Sequence, residues 1–143
     1  MSPSNGPYLS YAVVCEKMLR EADNVVSLIR IIDRVTVLTT VSNPAPLVAV
    51  TFAVGVKSGS YRGSTSLRVR IEPPSGTIWP DFTTSAELEG DEQGSGLALG
   101  LQFPAHEDGL YWFVVEISGE EVTRVPLRIL KQEATPAEPH ELG

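Results

Sequence analysis

The sequence predicts an all-β fold: one antiparallel β-sandwich of about seven to nine strands. Three observations point there. Strand-like runs recur at near-even spacing, most with apolar residues alternating at period two. Clusters of Gly, Pro, Asn, Asp and Ser separate them, the residue types that form turns. No helical pattern longer than two turns competes, and so short a segment does not nucleate a helix by itself.

Composition bounds the rest. At 143 residues, with 42% hydrophobic and 20% charged residues, the chain can bury one core without covalent staples. The net charge of −7 argues against a general nucleic-acid binder, so no nucleic-acid partner is expected. The single cysteine, Cys15, excludes an internal disulfide and a Cys-rich zinc site. The opening MSPSNGPYLSYAVVC has neither a basic n-region nor an apolar h-region, so no signal peptide is expected. No run approaches the ~18 to 20 apolar residues of a membrane helix. A cytoplasmic protein without a membrane span is the expectation. The domain is expected over 8–131, with a loose 1–7 and a disordered, proline-bearing tail over 132–143.

In chain order, Tyr8 to Met18 reads as a strand, with Tyr11, Val13 and Cys15 on one face and Ala12, Val14 and Met18 on the other. A helix over Cys15–Ala22 is the local competitor, since those residues favour helix. Asp23-Asn24 is read as a turn. The run Val25–Val41 is apolar on both parities, which predicts a central strand or strand pair, with the rest of the chain organised around it. Ser42–Pro46 breaks it, and Val48–Lys57 begins another strand. Gly59–Ser66 reads as a hairpin loop leading to a strand through Leu67, Val69 and Ile71, ended by Pro73-Pro74-Ser75-Gly76.

Ile78, Trp79 and Phe82, interrupted by Pro80, predict a short edge strand or a packed loop. An acidic turn over Glu87–Ser95 precedes a half-buried strand through Leu97, Leu99, Leu101 and Phe103. The final hairpin spans Gly109–Leu130 and turns near Ser118-Gly119-Glu120. Its second strand buries Val125, Leu127 and Ile129, and Pro126 predicts that this strand is an edge, because proline donates no ladder hydrogen bond.

Glu107-x-Gly109-x-Tyr111 resembles the tyrosine corner of immunoglobulin-like sandwiches, with Phe113 where an antibody domain carries a disulfide cysteine. The sandwich is accordingly expected to be immunoglobulin-like or C2-like. Two longer stretches, VCEKMLREADNVVSLIRIIDRVTV and Gly109–Leu130 ending in RVPLRIL, are similar to a bacterial and phage family of short proteins classed as a domain of unknown function. Its pattern is a CEK…D…SLIRIIDR opening and a GxYWFxV…RxPLRV close. The resemblance implies a stand-alone bacterial β-sandwich and supplies no catalytic residues.

Candidate chemistry is sparse. Cys15 with His106 is the candidate thiol–imidazole pair, and a cysteine beside Val13 and Val14 on a strand reads more simply as packed core. Calcium is the better site hypothesis, because C2-type loops hold it with clustered carboxylates. Asp81, Glu107 and Asp108 come together if residues 82–88 and 96–103 pair as a hairpin; Glu89, Asp91 and Glu92 then form a separate group. The competing reading is solvated acidic turns.

Of eleven basic residues, eight are arginine. Arg68, Arg70, Arg124 and Arg128 project outward on predicted strands, and Trp112 faces away from the core parity of its strand. These five residues are the candidate binding surface, since arginine forks suit carboxylate and phosphate partners. Cross-strand pairing of the arginines with Glu72, Glu116 and Glu121 is the preferred alternative. Within Val25–Val41 the charges are Arg30, Asp33 and Arg34; a structural arginine–aspartate pair is expected there ahead of a binding role, because charges in so apolar a run should be paired if buried.

These readings favour a non-enzymatic protein–protein interaction module, without a cofactor, whose open sheet edges can also form a homodimer. A C2-like domain responsive to calcium or phospholipid headgroups is the alternative.

Overall fold

The computed structural model describes residues 6–23 and 25–134. Nine strands form two facing sheets: β1 (Tyr8–Arg20), β2 (Val26–Ile31), β3 (Arg34–Thr39), β4 (Leu47–Lys57), β5 (Arg62–Glu72), β6 (Phe82–Glu89), β7 (Gly94–Pro104), β8 (Gly109–Ile117) and β9 (Glu120–Glu133). The four-stranded sheet runs β2-β1-β4-β7 and the five-stranded sheet β3-β9-β8-β5-β6. The sandwich expected from the alternation is therefore present. Every pairing is antiparallel except β3 with β9, which is parallel.

The run Val25–Val41 is a strand pair, but neither strand is central. β2 edges one sheet and β3 edges the other. The chain changes sheets within two residues: the amide of Ile32 still donates to Val14 of β1 (2.8 Å), while the Asp33 carbonyl already accepts from Arg128 of β9 (3.1 Å). Arg30, at φ 55°, turns the backbone just before the crossing. The expected arginine–aspartate pair does not form. Arg30 Nε instead lies 3.4 Å from Glu16 on β1, with both side chains more than half exposed. Such a pair is worth at most about 1 kcal/mol.

Of the two runs apolar on both parities, the one that lies inside its sheet is β4. It is flanked by β1 and β7, and its core parity (Val48, Val50, Phe52, Val54, Val56) is 0–5% exposed. Its other parity is small (Ala49, Thr51, Ala53, Gly55), which lets the Tyr11 ring of β1 lie directly over Gly55. A Cβ at Gly55 would come 2.1 Å from Tyr11 Cε1, so only glycine fits there.

Because both sides of β4 are occupied, β5 cannot fold back on it. The predicted hairpin over Gly59–Ser66 is a crossing to the other sheet, made by residues 58–61. Likewise β6 pairs with β5, and β7 with β4, so 82–88 and 96–103 are not a hairpin. The β8–β9 hairpin forms as expected, turning at Ser118 and Gly119, both at positive φ.

β9 is not an edge strand. β3 joins it only from Arg128 onward, so Pro126 sits opposite Trp112 where the far side of β9 is still open. The strand also runs past residue 131, to Glu133, and Ala134 N just beyond it donates to Thr39 O at 2.9 Å. Asn24 of the predicted turn and residues 135–143 of the predicted tail lie outside the described residues. Asp23 Oδ1 accepts from Val25 N at that turn (3.1 Å).

One core fills the sandwich. Phe52 of one sheet meets Phe113 of the other, ring centroids 5.0 Å apart. Residues 73–81 form no strand. They are the packed loop, which inserts Trp79 between Phe103 (5.3 Å) and Tyr111 (5.8 Å) and leaves Ile78 exposed. The tyrosine corner is real: the fully buried Tyr111 donates from Oη to Glu107 O (2.8 Å) and accepts from Glu107 N (3.3 Å).

Candidate functional site: the outer face of the five-stranded sheet

β5, β8 and β9 are adjacent, so residues facing away from the core line up across them. Glu72, Trp112 and Pro126 share one row, and Arg70, Val114 and Arg124 the next; Arg68, Glu116 and Glu121 follow at the far end. The arginines are brought together, but with carboxylates between them. Arg68 Nε donates to Asp81 (2.6 Å) and Nη1 to Glu116 (3.2 Å). Arg70 lies 3.5–3.6 Å from Glu72, Glu116 and Glu121. Arg124 is forked between Glu121 (3.1 and 3.2 Å) and Glu72 (3.1 and 3.2 Å).

Arg68, Arg70 and Arg124 thus face Asp81, Glu72, Glu116 and Glu121, so each arginine is paired and the carboxylates outnumber them by one. The hydrogen bond to Glu121, aided by the charges of Glu121 and Glu72, holds the Arg124 guanidinium above its ordinary range. Cross-strand pairing, the preferred sequence reading, describes these three arginines. One polar atom is left over: Arg70 Nε is buried without a hydrogen bond of good geometry, although Glu116 is 3.5 Å away. The close ion pair satisfies it in charge if not in direction.

Arg128 differs. Among the described residues no carboxylate lies within ion-pair distance of its guanidinium. Its register partner on β3 is Arg34, likewise exposed and, among the described residues, without a carboxylate at ion-pair distance. On the other side Arg128 is opposite Leu110 of β8. The half-buried Trp112, with Leu110, Pro73 and Pro74, floors a shallow groove whose walls carry Glu72, Arg124 and Arg128. Like charges side by side on neighbouring strands destabilise a sheet. The charges of the Arg34–Arg128 pair therefore do not stabilise the fold. Sequence reading weighed Arg34 only against Asp33 within its own run, because nothing but the parallel β3–β9 register places it beside Arg128.

The three carboxylates proposed for calcium are not gathered. Asp81 is held by Arg68, and Asp108 accepts from Lys131 N (2.9 Å). Glu107 caps the Ser75 turn through Ser75 N (2.7 Å) and Ser75 Oγ (2.9 Å). Among the described residues no group of three or more His, Cys, Asp or Glu is placed to hold a metal. Glu89, Asp91 and Glu92 are exposed at the β6–β7 turn, where Asp91 lies 3.8 Å from Arg62.

Cys15 is fully covered inside β1, and its thiol donates weakly to Lys17 O (3.6 Å). Burial pushes that thiol up from its ordinary value, the opposite of what a nucleophile needs. His106 lies in the exposed loop between β7 and β8. Among the described residues no helix is long and apolar enough to cross a membrane.

No family model matches the chain, and no curated protein matches it at a significant level. Among solved structures, the fold is similar to part of a beta-glucosidase from Listeria innocua. The TM-score is 0.51 at 11% identity, covering 90% of this chain and 17% of that one. The same enzyme in complex with glucose gives 0.49 at 13% identity, covering 84% and 16%. The CARDB domain of a Pyrococcus furiosus protein in complex with di-metal ions aligns at TM-score 0.43 and 15% identity, over 90% of this chain and 100% of that domain.

The chain thus spans about a sixth of the beta-glucosidase chains. At such identity the likeness is one of fold alone. It corrects one expectation. The flat reading that the chain is not an enzyme does not stand, since a sandwich of this shape occurs as a portion of an enzyme chain. The sandwich fold also fits a binding module.

Proposed function

We propose that the domain is a protein-binding module whose docking surface is the groove around Trp112. The observation that carries this reading is that Arg128 lines one groove with the half-buried Trp112 and has Arg34 as its register neighbour, both guanidiniums lacking a carboxylate within ion-pair distance among the described residues. An indole beside arginines is the composition of binding hot spots, where an aromatic anchor supplies area and arginine supplies directional charge. The fitting partner is an extended protein segment with an apolar residue for the Trp112–Pro74 floor and a carboxylate for the Arg34–Arg128 pair. The paired ladder of Arg68, Arg70 and Arg124 frames the groove and holds it flat.

Panning a displayed random-peptide library against the folded protein tests this. The expected binders are acidic peptides with an aromatic or aliphatic anchor, lost with Trp112→Ala and with Arg128→Ala and retained with Arg62→Ala. Binders that are indifferent to Trp112 and Arg128 would place the docking surface elsewhere.

A further inference from the structure

The free edge of β7 lies on the other sheet and stands apart from the groove. Sheets ordinarily protect their edges with charge, proline, bulges or brevity, because a bare edge recruits another strand. Three of the four edges here follow that rule. β2 and β3 have six residues each, and β2 carries the left-handed Arg30 one residue before its end. β6 has eight and carries Glu87 and Glu89. β7 does not follow it. It is eleven residues long, GSGLALGLQFP, with no charged side chain and no proline before its last residue. Its register with β4 is unbroken over all eleven pairs, so no bulge turns the edge away.

We infer that β7 pairs antiparallel with β7 of a second copy of this chain, joining the two four-stranded sheets across a two-fold axis. The argument for a second copy is the near-palindromic pattern of the strand about Leu99. In a pairing centred there, Leu97 lies opposite Leu101 of the other copy, Ala98 opposite Gly100, and Gly96 opposite Gln102. An isologous contact needs this self-complementarity. Leu97, Leu99 and Leu101 are half-exposed at the rim of the core, and the pairing covers them. The opposing residues bring no like charges together, despite the net charge of −7 per chain. Acidic residues do flank the strand, Asp91 and Glu92 before it and Glu107 and Asp108 after it, so association strengthens as salt screens them.

The test is sedimentation equilibrium of the whole chain over a dilution series at low and high salt, with two double variants. Ala98 and Gly100 face outward and are exposed, and a Cβ at Gly100 meets nothing within 4 Å, so substitution there leaves the monomer intact. The expected result is a mass rising toward twice 15.5 kDa with concentration, more readily at high salt. Ala98→Glu with Gly100→Glu sets carboxylates opposite each other twice, and weakens association by about tenfold or more. Ala98→Lys with Gly100→Glu sets opposite charges there, and restores it. Amide exchange over 95–103 in the wild type slows as concentration rises, a readout that needs no variant. A wild-type monomer at every concentration, or association equal in both variants, overturns the inference.

Discussion

Removing one oxygen from the tyrosine corner, Tyr111→Phe, tests whether that corner organises the β7–β8 connection. The Tyr111 hydroxyl serves both backbone groups of Glu107, donating to its carbonyl at 2.8 Å and accepting from its amide at 3.3 Å. Phenylalanine keeps the ring contacts with Trp79 and Phe103 (5.8 and 5.4 Å), so packing is conserved while two hydrogen bonds go. Each is worth about 0.5–1.5 kcal/mol net, so the expected loss is about 1–3 kcal/mol. Urea unfolding should show a lower midpoint with an unchanged slope. Tyr61→Phe is the control, because its hydroxyl donates only to the exposed Ser64 carbonyl (2.8 Å), and it should cost less than about 0.5 kcal/mol. Equal losses in the two variants would refute the corner as a special contributor.

Burial raises the Tyr111 phenol, against a lowering by its backbone bond, and also raises that of Tyr11. The unfolded chain therefore loses these protons first, so stability is intact below about pH 10 and falls as pH rises beyond it. Tyr111→Phe should shrink that alkaline loss, read from urea midpoints at stepped pH. Cys15 should resist a disulfide-exchange reagent in the native protein and react in step with unfolding; rapid native modification would contradict its burial. Arg128→Glu should raise the melting temperature slightly, by relieving the contact with Arg34 at about 0.2–1 kcal/mol, while abolishing peptide capture. Phe113→Ala should cost about 3–5 kcal/mol in urea unfolding, since it empties the inter-sheet contact with Phe52. Calcium at millimolar levels should leave the melt unchanged; a rise of several degrees would mean that Asp81, Glu107 and Asp108 regroup.

Period-two alternation was enough to locate the strands, because each exposes or buries side chains by parity whatever its neighbours are. The corner was legible for a similar reason: Glu107, Gly109 and Tyr111 act within one turn of chain. Pairing was less so. Val25–Val41 and Val48–Lys57 are both apolar on two parities, yet only β4 is central. The distinguishing signal was size, since Ala49, Thr51, Ala53 and Gly55 leave room for Tyr11, whereas the first run carries Arg30, Asp33 and Arg34 where the chain crosses between sheets. The two false hairpins share a cause. Sequence adjacency favours pairing neighbouring strands, and a sandwich overrides it when both sides of β4 are taken. Of the binding residues, the paired ladder could be inferred from arginine and glutamate on matching parities. The Arg34–Arg128 pair could not, as it rests on a parallel register between residues separated by 93 others, roughly two-thirds of the chain.

The most direct test of the binding surface reads the two indoles separately. Trp79 sits in the core and Trp112 in the groove, and the chain has no third tryptophan. In a proton–nitrogen NMR titration with a panned acidic peptide, the Trp112 indole and the Leu110 and Arg128 amides should shift together while the Trp79 indole stays put. Saturable binding that leaves the Trp112 indole unmoved would contradict the account.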